Sequence, residues 1–350
     1  PDDLAALLYT SGTTGRSKGA MLTQNNLLSN AKTLKKLWQV TKSDILIHAL
    51  PIFHTHGLFV ALNTAMLAGA KVNFIPKFDI DEIIEKLRAS TLLMGVPTFY
   101  TRLLADYRLT EKLTKNMRLF ISGSAPLLSE THEEFTKRTG HHILERYGMT
   151  ETNMITSNPY HGERRPGTVG KSLADVQMKI TDPKTGNEMA EGEIGMIEVR
   201  GPNVFKGYWN MPDKTALELR ETGYFITGDL GKLSSDGYLS IVGREKDLII
   251  SGGYNVYPKE VEDILNELNQ IDETAVFGIP DNDLGERVVA AVVLEENKNF
   301  NQSKTEIFVN EKLARYKQPK EYFVLASLPR NSMGKVQKNE LRKRFSSSIM

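Results

Sequence analysis

"LLYTSGTTGRSKGAMLTQNN", residues 7–26, decides how the rest of the chain is read. The apolar run Leu7, Leu8, Tyr9 reads as a strand. It breaks into eleven residues crowded with Ser, Thr, Gly, Arg and Lys, and a segment with helical potential follows. Main chain freed by Gly12 and Gly15, the hydroxyls of Thr10, Ser11, Thr13 and Thr14, and the cation Lys18 are groups that can wrap a polyphosphate. A solvated turn uses the same residue types, so composition alone leaves both readings open. The loop is not a Walker A sequence, because the spacing from Gly12 to Lys18 would need Gly where Ser17 stands. That mismatch counts against a P-loop phosphotransferase.

The totals set bounds. A chain of 350 residues with 40% hydrophobic content predicts two domains with sizeable cores. With 44 basic and 43 acidic residues, the net charge of +1 gives no electrostatic footprint for nucleic acid or an anionic membrane. There is no cysteine, which excludes disulfides, thiolate metal sites and a cysteine nucleophile. No apolar run approaches the roughly 20 residues of a membrane span, and no signal peptide is visible. The first residue is Pro1 and a strand follows at once, so the expectation is an intracellular fragment lacking its natural amino terminus.

The pattern changes twice along the chain. Up to about residue 180, short apolar runs such as "DILIHALPI", "STLLMGVP", "MRLFISGSAP" and "HHILERYG" alternate with helix-like stretches. That alternation predicts a layered α/β domain with its ligands at strand ends. In "IDEIIEKLRAS", Ile80, Ile83, Ile84 and Leu87 share one helical face. Residues 167–243 read as successive strands with Gly and Asp turns, a β-rich part of the same domain. After "GREKD" comes a small α+β domain: the helix "PKEVEDILNEL" opened by Pro258, strands in "ETAVFGIPD" and "RVVAAVVLEE", the helix "KTEIFVNEKLARY", and a frayed tail "RKRFSSSIM". The expected division is 1–245 and 246–350.

Seven motifs in order give the chain its resemblance. "YTSGTTGRSKG", "LPIFHTHGL", "SGSAPL", "YGMTE", "TGD", "GREKDLIISGGYNVYPKEVE" and "LPRNSMGKVQK" together resemble the adenylate-forming superfamily of acyl-CoA synthetases, adenylation domains and luciferases. The resemblance spans nearly the whole chain, and the family carries a further substantial segment before the first motif. It implies an acid–thiol ligase: a carboxylate attacks the α-phosphate of ATP, and a thiol, usually of coenzyme A, then displaces AMP. ATP, Mg²⁺ and coenzyme A are the implied small molecules. Bringing like charges together makes such catalysis largely a matter of positioning and charge stabilisation.

Residue by residue, the resemblance implies the following roles. Lys335 is the catalytic cation, while Lys338 stays a solvated lysine. Glu151 is the magnesium-associated carboxylate and Thr150 a phosphate contact. Thr10, Ser11, Gly12, Thr13, Thr14, Gly15 and Lys18 belong to the phosphate loop. Ser122 to Pro126, including Ser124, Ala125 and Pro126, line the nucleotide side with Arg146, Tyr147, Gly148 and Met149. Asp229 and Arg244 hold the ribose and phosphate side, Lys246 is a hinge within 244–247, and Ser251, Gly252 and Gly253 line the path of coenzyme A. His54 is expected beside the acid pocket. His141 and His142 are read as structural, and neither His pair has the spacing of a helical zinc site.

The acid is read from "ERYGMTE". Many acyl-CoA synthetases have Gly before the Tyr-Gly pair, and here it is Arg146. A guanidinium shortens the pocket and demands an anion, since a buried unpaired charge is costly. A second substrate carboxylate, gripped bidentately, would supply it. "SNPYHGERRPGTVG" also looks like the malonyl-CoA synthetase branch, so the expected substrate is malonate, with methylmalonate as a relative. Internal pairing of Arg146 with Glu145 or another acid is the competing reading, and Arg164 and Arg165 are alternative carboxylate ligands. A short-chain, medium-chain or aryl acyl-CoA synthetase, a carrier-loading adenylation domain and a non-catalytic nucleotide-binding remnant are the other functions weighed. The expected location is the cytoplasm, or the mitochondrial matrix.

Overall fold

A computed structural model describes residues 1–10, 17–331 and 334–346. The phosphate-loop residues Ser11, Gly12, Thr13, Thr14 and Gly15 lie outside the described residues. The chain divides into two compact units, one of residues 1–227 and 232–241, the other of residues 228–231 and 242–350. The division therefore cuts through two strands, and it places Asp229 and Arg244 with the smaller unit.

In the larger unit, β1 (Leu4–Thr10) and β2 (Lys18–Thr23) form an antiparallel pair in which Thr10 faces Lys18. Thr23 then caps the helix Gln24–Leu37. Its hydroxyl accepts from the Asn26 amide at 3.1 Å while the Asn26 side chain accepts from the Thr23 amide at 2.8 Å. The apolar runs become β3 (Ile45–His48), β4 (Lys71–Phe74), β5 (Leu92–Gly95), β6 (Leu119–Ser122), β7 (Leu144–Met149), β8 (Asn153–Ser157) and β9 (Lys171–Ser172). Among the described residues these seven make one sheet in the order β4-β3-β5-β6-β7-β8-β9, parallel as far as β7 and antiparallel beyond it. β5 and β6 are buried throughout, as parallel strands covered on both faces should be. Asp79 caps the covering helix Ile80–Leu87, whose Ile83, Ile84 and Leu87 are buried as the spacing predicted.

β10 (Gln177–Thr181), β11 (Gly195–Arg200), β12 (Phe225–Leu233) and β13 (Leu239–Arg244) form a separate four-stranded sheet. The β-rich texture read from residue 167 therefore has two destinations, because β9 pairs with β8 and only the stretch from Gln177 enters this sheet. A helix, Pro212–Glu218, interrupts it between β11 and β12.

In the smaller unit, β14 (Ile249–Ser251), β15 (Tyr254–Val256), β16 (Ile271–Asp281), β17 (Gly285–Leu294) and β18 (Glu321–Leu325) share one sheet. Strict alternation along β17 serves two cores. Val288, Ala290 and Val292 join Val261 and Leu265 of the helix Pro258–Asn266, while Val289, Ala291 and Val293 join Leu341 of the helix Lys338–Ser346. Residues 342–346 of the tail expected to fray are helical instead: Leu341 is buried, and Phe345 stacks on Phe323 at 3.9 Å. Among the described residues no helix is long and apolar enough to cross a membrane.

Candidate active site

Strand alternation separates Glu145 from Arg146. Glu145 faces the helix Ser129–Thr139, where its Oε1 lies 3.6 Å from Nδ1 of His132. Arg146 points to the opposite face of β7 and is 3% exposed, and its Nε and Nη2 have no hydrogen-bond partner. Among the described residues no carboxylate forms an ion pair with it. Burial pulls its pKa down to about 9, with a small opposing pull from Tyr100. Among the described residues the internal pairing weighed from the sequence is therefore absent. Arg164 and Arg165 are committed elsewhere. Arg164 donates to the carbonyls of Pro159, Tyr160 and His142, and Arg165 pairs with Glu163 and Asp236 at 2.9 Å each.

The guanidinium has neutral polar neighbours. His56 opens a π-helical turn, His56–Leu62, a geometry that often marks functional sites. Its Nδ1 lies 3.2 Å from Oγ of Ser124, and its Nε2 is buried without a partner. Burial first, then the positive Arg146, holds His56 well below the usual histidine pKa, so it is neutral. Ser124 adopts φ 72°, a left-handed conformation uncommon outside glycine. His54, the histidine expected at this pocket, is half-buried, and its Nδ1 accepts from the His56 amide at 3.3 Å. Of the two histidines, His56 is the one that lies against Ser124. Sequence reasoning passed over His56 because it saw only two histidines two apart. The available signal was Gly57, where a Cβ would lie 2.3 Å from the Pro51 carbonyl oxygen, so the loop must turn tightly there.

A second constellation surrounds Glu151. It is 4% exposed, and burial raises its pKa. The hydroxyl of Tyr208 lies 2.9 Å from Oε1 of Glu151 and 2.6 Å from Oε2 of Glu218. Lys18 donates to that hydroxyl at 3.0 Å, pairs with Glu218 at 3.3 Å and sits 4.3 Å from the centre of the Tyr208 ring. The loop cation is thus already engaged by protein acceptors, and neither Tyr208 nor Glu218 was singled out in the sequence. Thr150 is buried beside Glu151, Tyr147 is buried on β7, Gly148 and Met149 are half-buried, and Ser122 is buried with its hydroxyl unpartnered. Ala125 is half-buried and Pro126 exposed.

The smaller unit holds its own charged cluster. Nε of Arg244 lies 2.8 Å from Oδ1 of Asp229, and Nη1 of Arg342 lies 3.0 Å from Oδ1 of Asp247. Lys246 between them has a lowered pKa, from burial and then from the neighbouring cations in part offset by Asp247. Lys335 follows Gly334, which takes φ 75°, and its amide donates to Oδ1 of Asn331 at 3.0 Å. The residue is exposed by surface area. Crowding of its ammonium rather than full enclosure, together with Arg244, therefore draws its pKa down to about 8. Lys338 is half-buried and paired with Glu262 at 2.6 Å, so it is not the solvated lysine expected from the sequence. Gly252 and Gly253, at φ 57° and 81°, turn the chain between β14 and β15 beside the buried Ser251.

A family model described as AMP-binding enzyme matches residues 1–209, and the model of the AMP-binding enzyme C-terminal domain matches residues 260–335. The chain belongs to the AMP-binding enzyme family. Malonate–CoA ligase of Arabidopsis thaliana is 40% identical to this AMP-binding enzyme over 373 residues, covering 98% of the chain and 61% of that protein. A long-chain-fatty-acid–CoA ligase of Bacillus subtilis is 38% identical over 345 residues, covering 97% of the chain and 61% of that protein. The chain thus spans about three fifths of the length of these curated relatives. The crystal structure of ATP-bound MatB from Rhodopseudomonas palustris superposes with a TM-score of 0.98 at 56% identity, covering 100% of this chain and 69% of that one. Relatives acting on very different acids stand at nearly equal identity, so the acid has to be argued from the pocket.

Proposed function

We propose that the full-length protein is an ATP-dependent malonate–CoA ligase, forming malonyl-CoA, AMP and pyrophosphate through a malonyl-adenylate. One observation carries the choice of acid: Arg146 is a buried guanidinium that, among the described residues, has two unpartnered nitrogens and no carboxylate paired with it. A dicarboxylate supplies the missing anion and leaves its other carboxylate free to react. A long apolar chain would leave the charge stranded, at a cost of several kcal/mol, on the order of 3–5. His56, neutral and with Nε2 unengaged, offers a further hydrogen bond without adding charge.

In this reading an oxygen of the free carboxylate attacks the α-phosphorus of ATP, and the bond to the departing pyrophosphate breaks. Lys335 neutralises charge on the attacking carboxylate and the α-phosphate. Thr10, Thr150, Lys18 and the residues of the phosphate loop hold the polyphosphate, for which Lys18 must exchange Glu218 for phosphate. Asp229 and Arg244 take the ribose side, and Ser124, Ala125, Pro126, Tyr147, Gly148 and Met149 the nucleotide side. Glu151, a buried carboxylate beside Thr150, is the group that would hold a Mg²⁺, an ion that takes oxygen ligands from one or two carboxylates and from phosphates. Mg²⁺ there would neutralise phosphate oxygens. The thiol of coenzyme A, entering past Ser251, Gly252 and Gly253, then attacks the acyl carbonyl and expels AMP. A turn about Lys246 between the two steps belongs to the same proposal, as does a location in the cytoplasm or the mitochondrial matrix.

The test is AMP release by the full-length protein with a panel of acids, ATP and coenzyme A, with Lys335→Ala as the control. Malonate should be preferred, and Arg146→Gly should lose malonate while keeping some turnover of acetate or propionate. Undiminished malonate turnover in Arg146→Gly would falsify the assignment of the acid.

A further inference from the structure

The loop after β6 distributes its residues against the ordinary preferences of the backbone. Ser124 takes the left-handed φ of 72°, a conformation that glycine adopts without penalty. The glycine stands one position earlier. Gly123 is buried and its φ lies outside the left-handed region, so its backbone could be adopted by any small residue. A turn designed for the main chain alone would exchange the two. Side-chain demands explain the order: Ser124 supplies the hydroxyl that engages His56, and Gly123 leaves a space.

That space is occupied by Arg146. A Cβ built on Gly123 would lie 2.3 Å from Cζ and Nη1 of Arg146 and 2.7 Å from Nε, all far inside van der Waals contact. The three atoms are the heart of the guanidinium, which fills the space where a side chain at 123 would begin. We propose that Gly123 is a specificity-determining positioning residue whose absent side chain seats the Arg146 guanidinium at the height where a second carboxylate meets it. The inference rests on the reading of Arg146 as a carboxylate clamp, and it goes further: arginine at 146 is insufficient without glycine at 123. Because the guanidinium is buried, even a methyl group must push it along the pocket axis or rotate it away, and either movement breaks a bidentate contact that depends on planar alignment. Acids without a second carboxylate do not use that contact.

The decisive measurement is the ratio of kcat/KM for malonate to kcat/KM for propionate in the full-length protein, because effects of the variant on ATP handling cancel in it. Gly123→Ala should lower the ratio on the order of 100-fold, the size expected when one partner of a buried charged contact is misplaced. The same substitution placed on Arg146→Gly should leave that variant's ratio unchanged, since no guanidinium remains to be displaced. A parallel cycle of thermal midpoints needs no turnover. Gly123→Ala should lower the midpoint by several degrees in the presence of Arg146 and by less than about one degree in Arg146→Gly. A ratio that survives Gly123→Ala, or midpoints that fall equally in both backgrounds, would overturn the role of Gly123. If the unaltered protein ignores malonate, the proposed function falls, while the midpoint cycle still decides whether Gly123 seats Arg146.

Discussion

Oε1 of Glu151 lies 2.9 Å from the hydroxyl of Tyr208, and that one hydroxyl ties the carboxylate expected to serve Mg²⁺ to the cation at the end of the phosphate loop. Lys18 donates to the same oxygen at 3.0 Å, and Glu218 approaches it at 2.6 Å. Tyr208→Phe deletes the bridge and leaves two carboxylates facing each other across an apolar ring. Hydrogen bonds to charged groups contribute about 1.5–3 kcal/mol, so the variant should melt roughly 4–8 °C lower. Differential scanning calorimetry checks this, and an unchanged midpoint would show that the bridge carries no energy.

The lowered pKa of Lys335 makes its charge sensitive to mild alkali. With the pKa near 8, the ammonium that adenylate formation needs is present below pH 8 and is lost as the pH rises through it. Because kcat/KM reports the free enzyme, its alkaline limb for pyrophosphate release should break near pH 8. Bound phosphates favour the charged form, so the break in kcat should lie at higher pH. Coincident breaks in the two profiles, or a limb that survives in Lys335→Arg with the same midpoint, would assign the titration to another group.

The contrast between Arg146 and Lys18 shows what sequence could and could not reveal. Arg146 was legible because its argument needs only local facts: a strand buried on both faces and a charge where the family resemblance expects none. The buried face of Ile83, Ile84 and Leu87 and the helix opened by Pro258 were legible for the same reason, since periodicity and helix-start signals act within a few residues, whereas the order of strands in the sheet is not local. Lys18 was not, because its partners Tyr208 and Glu218 are 190 and 200 positions away and meet it only through tertiary packing. His56 and the seating of Arg146 on Gly123 were hidden likewise, as a missing side chain leaves no trace in composition. The expectation of a frayed segment over 342–346 failed for a tertiary reason too, because Phe345 packs against Phe323 and Phe277 from distant strands.

Asp44 gives the larger unit a pH-dependent anchor. It accepts from Nε and Nη2 of Arg118 at 2.7 Å each, from the Thr91 hydroxyl at 2.7 Å and from the Thr41 amide at 2.8 Å. Burial alone would raise its pKa, but Arg118 and the two threonines outweigh it and hold the carboxyl down to about 2, against an ordinary 3.8. Because the folded-state value is the lower one, the stabilisation is complete above about pH 4 and is lost as the pH falls toward 2. Asp44→Asn should cost about 2 kcal/mol near neutrality and should flatten the acid limb of the stability curve. Urea midpoints at pH 7 and pH 3 measure both, and a variant whose deficit is the same at the two pH values would contradict the anchor.

Ser124 poses the sharpest test of how strain is tolerated at this pocket. Its φ of 72° costs about 1 kcal/mol for a residue with a Cβ, while the hydrogen bond to His56 returns about 0.5–1.5 kcal/mol. Ser124→Ala removes the bond and keeps the strain, so it should lose about 1 kcal/mol or somewhat more. Ser124→Gly removes both, so its stability should stay within about 1 kcal/mol of the original and above that of Ser124→Ala. Activity should not follow that order. Both variants release the His56 ring, so both should raise the KM for malonate. A thermal midpoint for Ser124→Gly below that of Ser124→Ala would mean that the left-handed backbone here is not strained. An unchanged malonate KM in both would mean that the His56 ring is held by packing and that Ser124 merely fills the turn.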